Sequence, residues 1–126
     1  MPRYVILLHE MPPTADRSTH WDFMLEDGGS LKTWALASPL QADEEIQSEQ
    51  LADHRCEYLQ YEGPVSGDRG SVTRWDEGVF EWIHRSKTSL LISIRGKRLS
   101  GTANLVRIGK ADESAAQRWS VSLRKS

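Results

Sequence analysis

Short apolar runs broken by turn residues set the pattern of the chain. Tyr4-Val5-Ile6-Leu7-Leu8 is an uninterrupted apolar run of five, the signature of a buried strand. Pro12-Pro13 stops any helix in the loop that follows. From Thr19 to Glu26 the pattern alternates, with Trp21, Phe23 and Leu25 on one face and His20, Asp22, Met24 and Glu26 on the other. Asp27-Gly28-Gly29-Ser30 is a hairpin turn, and Leu31–Leu36 returns as the partner strand. The polar stretch Gln41–Tyr61 leaves room for one short helix. Glu62-Gly63-Pro64 and Ser66-Gly67-Asp68-Arg69-Gly70 read as loops. Strands are expected at Val72–Trp75, Val79–Ile83, Ser89–Ile94, Thr102–Ile108 and Trp119–Leu123. Between them lie turns at Asp76-Glu77-Gly78, Arg95-Gly96-Lys97 and Gly109-Lys110-Ala111-Asp112. So many short strands predict an all-β fold with minor helix, a sandwich or a compact β-barrel-like domain. The five tryptophans are spread along the chain and read as packing.

A length of 126 residues suits one domain over 1–126, large enough for one real core. Sixteen Lys and Arg against eighteen Asp and Glu give a net charge of −2, which excludes coating of duplex nucleic acid by bulk charge. Any nucleic-acid contact must be local, at an end or a single phosphate. The one cysteine, Cys56, excludes an internal disulfide and a cysteine-rich zinc site. No apolar run is long enough for a transmembrane helix, and Tyr4–Leu8 is too short for a signal peptide. The expected setting is the cytoplasm, without a membrane.

His20 and Asp22 sit two apart on a strand, so both side chains leave from one face. Imidazole beside carboxylate is half of a divalent-metal site. If the first strand neighbours the second, His9 reaches the same point and completes a His, His, Asp set. The metal-facing atoms should then lie within about 5 Å of one another. Spacing alone leaves open a solvated polar face. His54 and Tyr58, four apart, would share a face if their segment is helical, and could contact a phosphate or pass a proton. An ordinary helix-surface pair satisfies the same spacing. His84, beside Arg85 and Lys87, reads as surface. Cys56 lacks a glycine-framed nucleophile motif and reads as an inert thiol. Ser66-Gly67-Asp68-Arg69-Gly70-Ser71 lacks the Lys-Ser/Thr ending of a nucleotide-triphosphate loop.

The order of motifs is specific. His9 is followed by His20-Trp21-Asp22-Phe23-Met24-Leu25-Glu26, then Gly29-Ser30-Leu31-Lys32-Thr33-Trp34-Ala35. Asp53-His54 with Tyr58, Tyr61-Glu62-Gly63, Gly67, Gly70 and Trp75-Asp76-Glu77-Gly78 follow. The series closes on Gly96-Lys97-Arg98-Leu99-Ser100-Gly101 and Leu105-Val106-Arg107. This series resembles the 3′-phosphoesterase domain of bacterial DNA ligase D and its stand-alone relatives, from His9 to about Trp119. The resemblance implies a β-barrel-like fold, a divalent metal, typically manganese, and removal of a 3′-terminal phosphate or ribonucleotide from DNA ends during end joining. It assigns the metal ligands to His9, His20 and Asp22, and the phosphate-contacting His and its Tyr to His54 and Tyr58. A ligase or polymerase acting in trans is the implied partner, and a monomer is expected.

Three departures concern cations. The family carries an Arg where Met24 stands, a Lys near Ala37-Ser38-Pro39, and an Arg in the segment Ile46–Leu51, which here has no basic residue. Such cations stabilise a phosphoryl transition state. Arg55, Arg69 and Arg74 are the candidate substitutes for phosphate binding. Two other functions fit the sequence: a binding module without turnover, and a phosphoesterase for a small phosphorylated molecule, which needs no basic groove.

Overall fold

The uninterrupted apolar run near the N-terminus is explained by burial on both faces of its strand. In β1 (Arg3–Glu10), Tyr4 and Ile6 enter one core while Val5 and Leu7 enter another. The computed structural model describes residues 1–67, 69–108 and 118–125. The chain continues through β2 (His20–Asp27), β3 (Ser30–Leu36), β4 (Glu45–Arg55), a four-residue 3-10 helix (Cys56–Leu59) and β5 (Gly63–Pro64). It ends with β6 (Ser71–Arg85), β7 (Ser89–Gly96), β8 (Ser100–Arg107) and β9 (Arg118–Lys125). The turn expected at 109–112 and the loop residue Asp68 lie outside the described residues.

The strands form one nine-stranded sheet in the order β1-β2-β3-β4-β9-β8-β7-β6-β5, and β1 also pairs with β6. The nearly all-β, helix-poor character agrees with the sequence, but the barrel-like form needs correction. A simple barrel encloses one interior. Here apolar side chains are buried in two separate clusters, and β5 extends the sheet beyond the β1–β6 pairing. The larger cluster includes Phe23, Trp34, Phe80, Ile92 and Trp119. The smaller one comprises Val5, Leu7, Met24, Leu31, Leu59 and Val72. Trp34 and Trp119 meet edge to face at 5.5 Å, and Trp21, Trp75 and Trp82 pack against the larger cluster from its rim.

Two further local expectations change. The segment Gln41–Tyr61 holds an eleven-residue strand and one 3-10 turn, because its alternate residues Ile46 and Ser48 are buried against the sheet. Asp76-Glu77-Gly78 is not a turn but the middle of the fifteen-residue β6. The Asp76 carboxylate is buried and accepts from the Tyr4 hydroxyl (2.8 Å) and the backbone N–H groups of Arg98 (2.8 Å) and Leu99 (3.2 Å). These bonds replace the water that a turn residue would use. Register shifts opposite Ile6/Leu7 and at Trp82/His84 bend this long strand. The Gly28-Gly29 turn joins β2 to β3 as expected, with Gly28 at φ +64°.

Candidate metal centre

Antiparallel pairing of β1 and β2 sets His9 directly opposite His20 and Leu7 opposite Asp22. Paired residues share a face, so His9, His20 and Asp22 all project on the side of the smaller core. One ligand atom from each lies within 4.8 Å of the others, which matches the spacing expected from the sequence. The two imidazole rings stand 4.8 Å apart between centroids.

Backbone carbonyls fix the tautomer of both rings. His20 Nδ1 lies 2.8 Å from the Ser18 carbonyl, and His9 Nε2 lies 2.6 Å from the Arg69 carbonyl. A carbonyl only accepts, so each of these nitrogens donates a proton. The remaining nitrogens both face the Asp22 carboxylate: His20 Nε2 is 3.0 Å from Oδ1, and His9 Nδ1 is 3.0 Å from Oδ2. His20 Nε2 and Asp22 Oδ1 are buried and neither makes a hydrogen bond. The His20 lone pair, the carboxylate and, once its Nδ1 is deprotonated, a second lone pair from His9 therefore converge, and such a set is completed by a cation. Metal-bound histidines characteristically donate their second N–H to a carbonyl in this way. The residues present could coordinate a divalent metal.

The local electrostatics point the same way. The Asp22 contact holds the His9 imidazolium above its ordinary pKa, against the opposing effect of burial. Burial pulls the Asp22 carboxyl upward, but the His20 and His9 rings outweigh it and hold the carboxyl below its ordinary value. In the metal-free site, the carboxylate thus favours the charged form of His9.

The Arg69 carbonyl reaches His9 because the loop after β5 is pressed onto the end of β1. Val65 N–H bonds the Gly70 carbonyl at 2.8 Å, and Gly70 has φ +77°. A Cβ at Gly70 would lie 1.8 Å from the Glu10 carbonyl oxygen, so no other residue allows this approach.

Beside the ligand set is a cavity of about 330 Å³ walled by His9, Asp22, His54, Arg55, Tyr58 and Arg69. Met24, Val65 and Val72 supply its apolar lining. His20, 5% exposed, does not itself line the cavity. His54 and Tyr58 come together by a route other than the expected helical face. His54 sits near the end of β4, opposite Leu31, and Tyr58 sits in the 3-10 turn that follows. Their rings meet edge to face at 5.5 Å. His54 Nδ1 donates to the Ala52 carbonyl at 2.9 Å, which leaves Nε2 as its free nitrogen.

The cations are arranged unequally. Arg69 is braced by Ser66 through its carbonyl (2.8 Å) and hydroxyl (3.3 Å). Arg74 is engaged by Glu62 and Glu77 and does not line the cavity. Met24 is 1% exposed within the smaller core. In the segment without a basic residue, Glu49 is paired with Arg17 from the β1–β2 loop at 3.0 Å. Cys56 is half-buried in the 3-10 turn, and His84 is exposed as expected. Sequence reasoning missed the carbonyls of Ser18 and Arg69, which are backbone groups and carry no residue signal. It also missed the Arg17–Glu49 pair, which joins residues 32 apart.

A helix-poor β fold with a His, His, Asp set able to hold a divalent cation, beside a cavity of histidine and arginine, is consistent with a metal-dependent phosphoester hydrolase. The chain belongs to the family described as the DNA ligase D 3′-phosphoesterase domain, which residues 13–107 match. His20, Asp22, His54 and Tyr58 fall inside that span, and His9 lies just before it. The resemblance seen in the ordered motifs is thereby borne out.

The chain is 30% identical over 115 residues to the multifunctional non-homologous end joining protein LigD of Pseudomonas aeruginosa, covering 83% of this chain and 13% of that protein. It is 32% identical over 100 residues to the LigD protein of Mycobacterium bovis, covering 72% of this chain and 13% of the relative. The same identity and coverage hold for the multifunctional non-homologous end joining DNA repair protein LigD of Mycobacterium tuberculosis. The chain therefore corresponds to about an eighth of the length of these relatives.

Proposed function

We propose that this chain is a divalent-cation-dependent phosphoesterase that removes a 3′-terminal phosphate or ribonucleotide from nucleic-acid ends in DNA repair. The observation that carries the reading is the convergence of two carbonyl-locked imidazoles on one carboxylate at the edge of a cavity holding His54 and two arginines. His9, His20 and Asp22 hold the cation. Manganese is the proposed ion, since mixed imidazole and carboxylate ligands suit it. A bound divalent cation supplies Lewis-acid polarisation of a phosphoryl oxygen.

The chain's own groups supply the rest. Arg55 and Arg69 bind the phosphate through charge-assisted hydrogen bonds. When water displaces the 3′-oxygen from phosphorus, that oxygen needs a proton. With Nδ1–H committed to the Ala52 carbonyl, His54 gives that proton from Nε2 only as the doubly protonated imidazolium, and is left as the neutral Nδ1–H tautomer. Tyr58 positions the His54 ring by edge-to-face contact. The healed end passes to a ligase or polymerase in trans, the chain acts as a monomer, and the setting is cytoplasmic. No helix among the described residues is long and apolar enough to cross a membrane.

A second reading, binding of an end without turnover, is favoured by one observation: a buried apolar Met24 on the metal face, where the family resemblance leads one to expect a cation. Release of 3′-phosphate from a short primer-template, with and without manganese, separates the two. The enzyme reading expects manganese-dependent release that His20→Ala abolishes. Release that ignores both chelator and His20→Ala would sink the proposed site. Metal and oligonucleotide binding without release would establish the binding module.

A further inference from the structure

Next to the phosphate cavity lies a second one, of about 230 Å³, lined by Arg55, Tyr58, Tyr61, Pro64, Val65 and their neighbours. The two cavities share Arg55, Tyr58 and Val65. We propose that the Tyr58–Tyr61 shelf is a stacking subsite for the base of the nucleotide that precedes the 3′-terminal one. The inference rests on the reading of the first cavity as a 3′-end site and specifies its substrate as a polymer end rather than a mononucleotide.

Four observations carry it. First, the Tyr58 and Tyr61 rings stand edge to face, 5.7 Å between centroids and 84° between planes, so Tyr58 occupies at most one face of the Tyr61 ring. Second, Tyr61 is 38% exposed, which makes it one of few large apolar side chains left in solvent. Third, the ring is braced: its hydroxyl donates to the Pro64 carbonyl. Gly63, at φ +134°, shapes that tight turn, and a Cβ there would come within 3.3 Å of the same hydroxyl. A ring held in place before binding loses little freedom on stacking. Fourth, Arg55 belongs to both cavities and its side chain makes no hydrogen bond or ion pair among the described residues. It stands where the phosphodiester between the last two nucleotides would cross from one cavity to the other.

The charge balance supplies the physical reason for such a shelf. A net charge of −2 gives little bulk electrostatic attraction for a strand. Base stacking on an aromatic ring needs no net charge and tolerates any sequence. One stacked base strengthens binding by about five- to a hundredfold.

The test uses the full chain with manganese and a short single-stranded DNA carrying 2-aminopurine at the position before its 3′ end. Binding of the 3′-hydroxyl product strand, which has no scissile phosphate, should quench the fluorescence of the native protein's ligand. Tyr61→Ala should lose the quench and weaken binding at least about fivefold, whereas Tyr61→Phe keeps the quench and loses only the smaller part of the affinity that the Pro64 brace supplies. Tyr61→Leu retains apolar bulk without a ring and should behave like Tyr61→Ala, which separates stacking from packing. In kinetics, Tyr61→Ala should raise KM for the 3′-phosphorylated strand with little change in kcat, and leave kcat/KM for a mononucleoside 3′-phosphate nearly untouched. Equal binding and quench in native and Tyr61→Ala proteins, with strand dephosphorylation intact, would overturn the subsite alone. An equal loss on strand and mononucleoside would show a merely structural tyrosine and also overturn it. A native protein that neither binds nor dephosphorylates the strand would overturn the 3′-end reading and the subsite with it.

Discussion

Nε2 of His20 and Oδ1 of Asp22 stand 3.0 Å apart inside the protein, and no hydrogen bond joins them. In the tautomer that the Ser18 carbonyl selects, Nε2 is an acceptor, so two acceptors face each other across a space that a cation would neutralise. This pair distinguishes a ligand set from a structural ion pair, and the two make opposite predictions.

Asp22→Asn tests the distinction. The amide can donate to the bare His20 nitrogen, so the metal-free fold should lose little stability. The charge that binds the cation is gone, so the manganese-induced rise in Tm should vanish. For the native protein that rise should correspond to about 2.7 kcal/mol at a hundredfold excess over Kd. Thermal unfolding with and without manganese measures both. A large loss in the metal-free variant, with no metal effect in the native protein, would mark the cluster as structural.

Metal affinity should fall with acidification. His9 is held above its ordinary pKa of 6.5, so a proton must leave Nδ1 before a metal enters. Below the raised pKa, each pH unit should weaken binding about tenfold, one proton being displaced per ion. Calorimetric titration with manganese at several pH values checks the slope, and a flat profile from pH 8 down to 5.5 would refute it. In the metal-free protein the signs differ for the two partners. The raised His9 pKa contributes stability below 6.5 that is lost as pH rises, and the lowered Asp22 pKa contributes stability above 3.8 that is lost on acidification. Their pair therefore stabilises the metal-free fold most between those two values.

Gly96→Ala should destabilise the fold without touching the site chemistry. A Cβ there would lie 2.0 Å from the Tyr4 hydroxyl and 2.6 Å from Asp76 Oδ2. It would force apart a buried hydrogen bond and leave its groups poorly satisfied, at a cost of about 2–4 kcal/mol. Tyr4→Phe is milder, about 1–2 kcal/mol, because the N–H groups of Arg98 and Leu99 still serve Asp76. Urea denaturation of both variants orders them. Equal stability of Gly96→Ala and native protein would contradict the packing.

Met24→Arg should trade stability for rate. The side chain lines the phosphate cavity but is rooted among Val5, Leu7, Leu31, Leu59 and Val72. A longer, charged side chain overpacks that cluster, costing about 1–3 kcal/mol. A guanidinium reaching the phosphate adds a charge-assisted contact of about 1.5–3 kcal/mol, worth roughly tenfold or more in rate. Manganese-dependent 3′-phosphate release at 25 °C, beside a Tm measurement, tests both halves. A native rate already equal to that of the variant would show that Arg55 or Arg69 fills the role.

Much of this molecule is written in local pattern. The alternation from Thr19 to Glu26 determines which residues of β2 share a face, because successive strand residues must point oppositely. That is why His20 and Asp22 were visible as a pair, and why the ordered motifs identify the family. Only tertiary structure decided the rest. Sequence periodicity does not say whether one or both faces of a strand will be covered, so a solvated face remained an alternative for β2's polar side, where Met24 and Asp22 are in fact buried. Nor does it distinguish Asp76-Glu77-Gly78 as a turn from the same residues in mid-strand, because the partners of Asp76 lie at Tyr4, Arg98 and Leu99. The tautomers of His9 and His20 depend on carbonyls that every residue possesses. They become specific only when pairing of β1 with β2 and the Gly70 approach bring Arg69 and Ser18 to the rings. Residue types thus limit the chemistry to cation and phosphate, while the long-range geometry of the sheet determines which lone pairs meet.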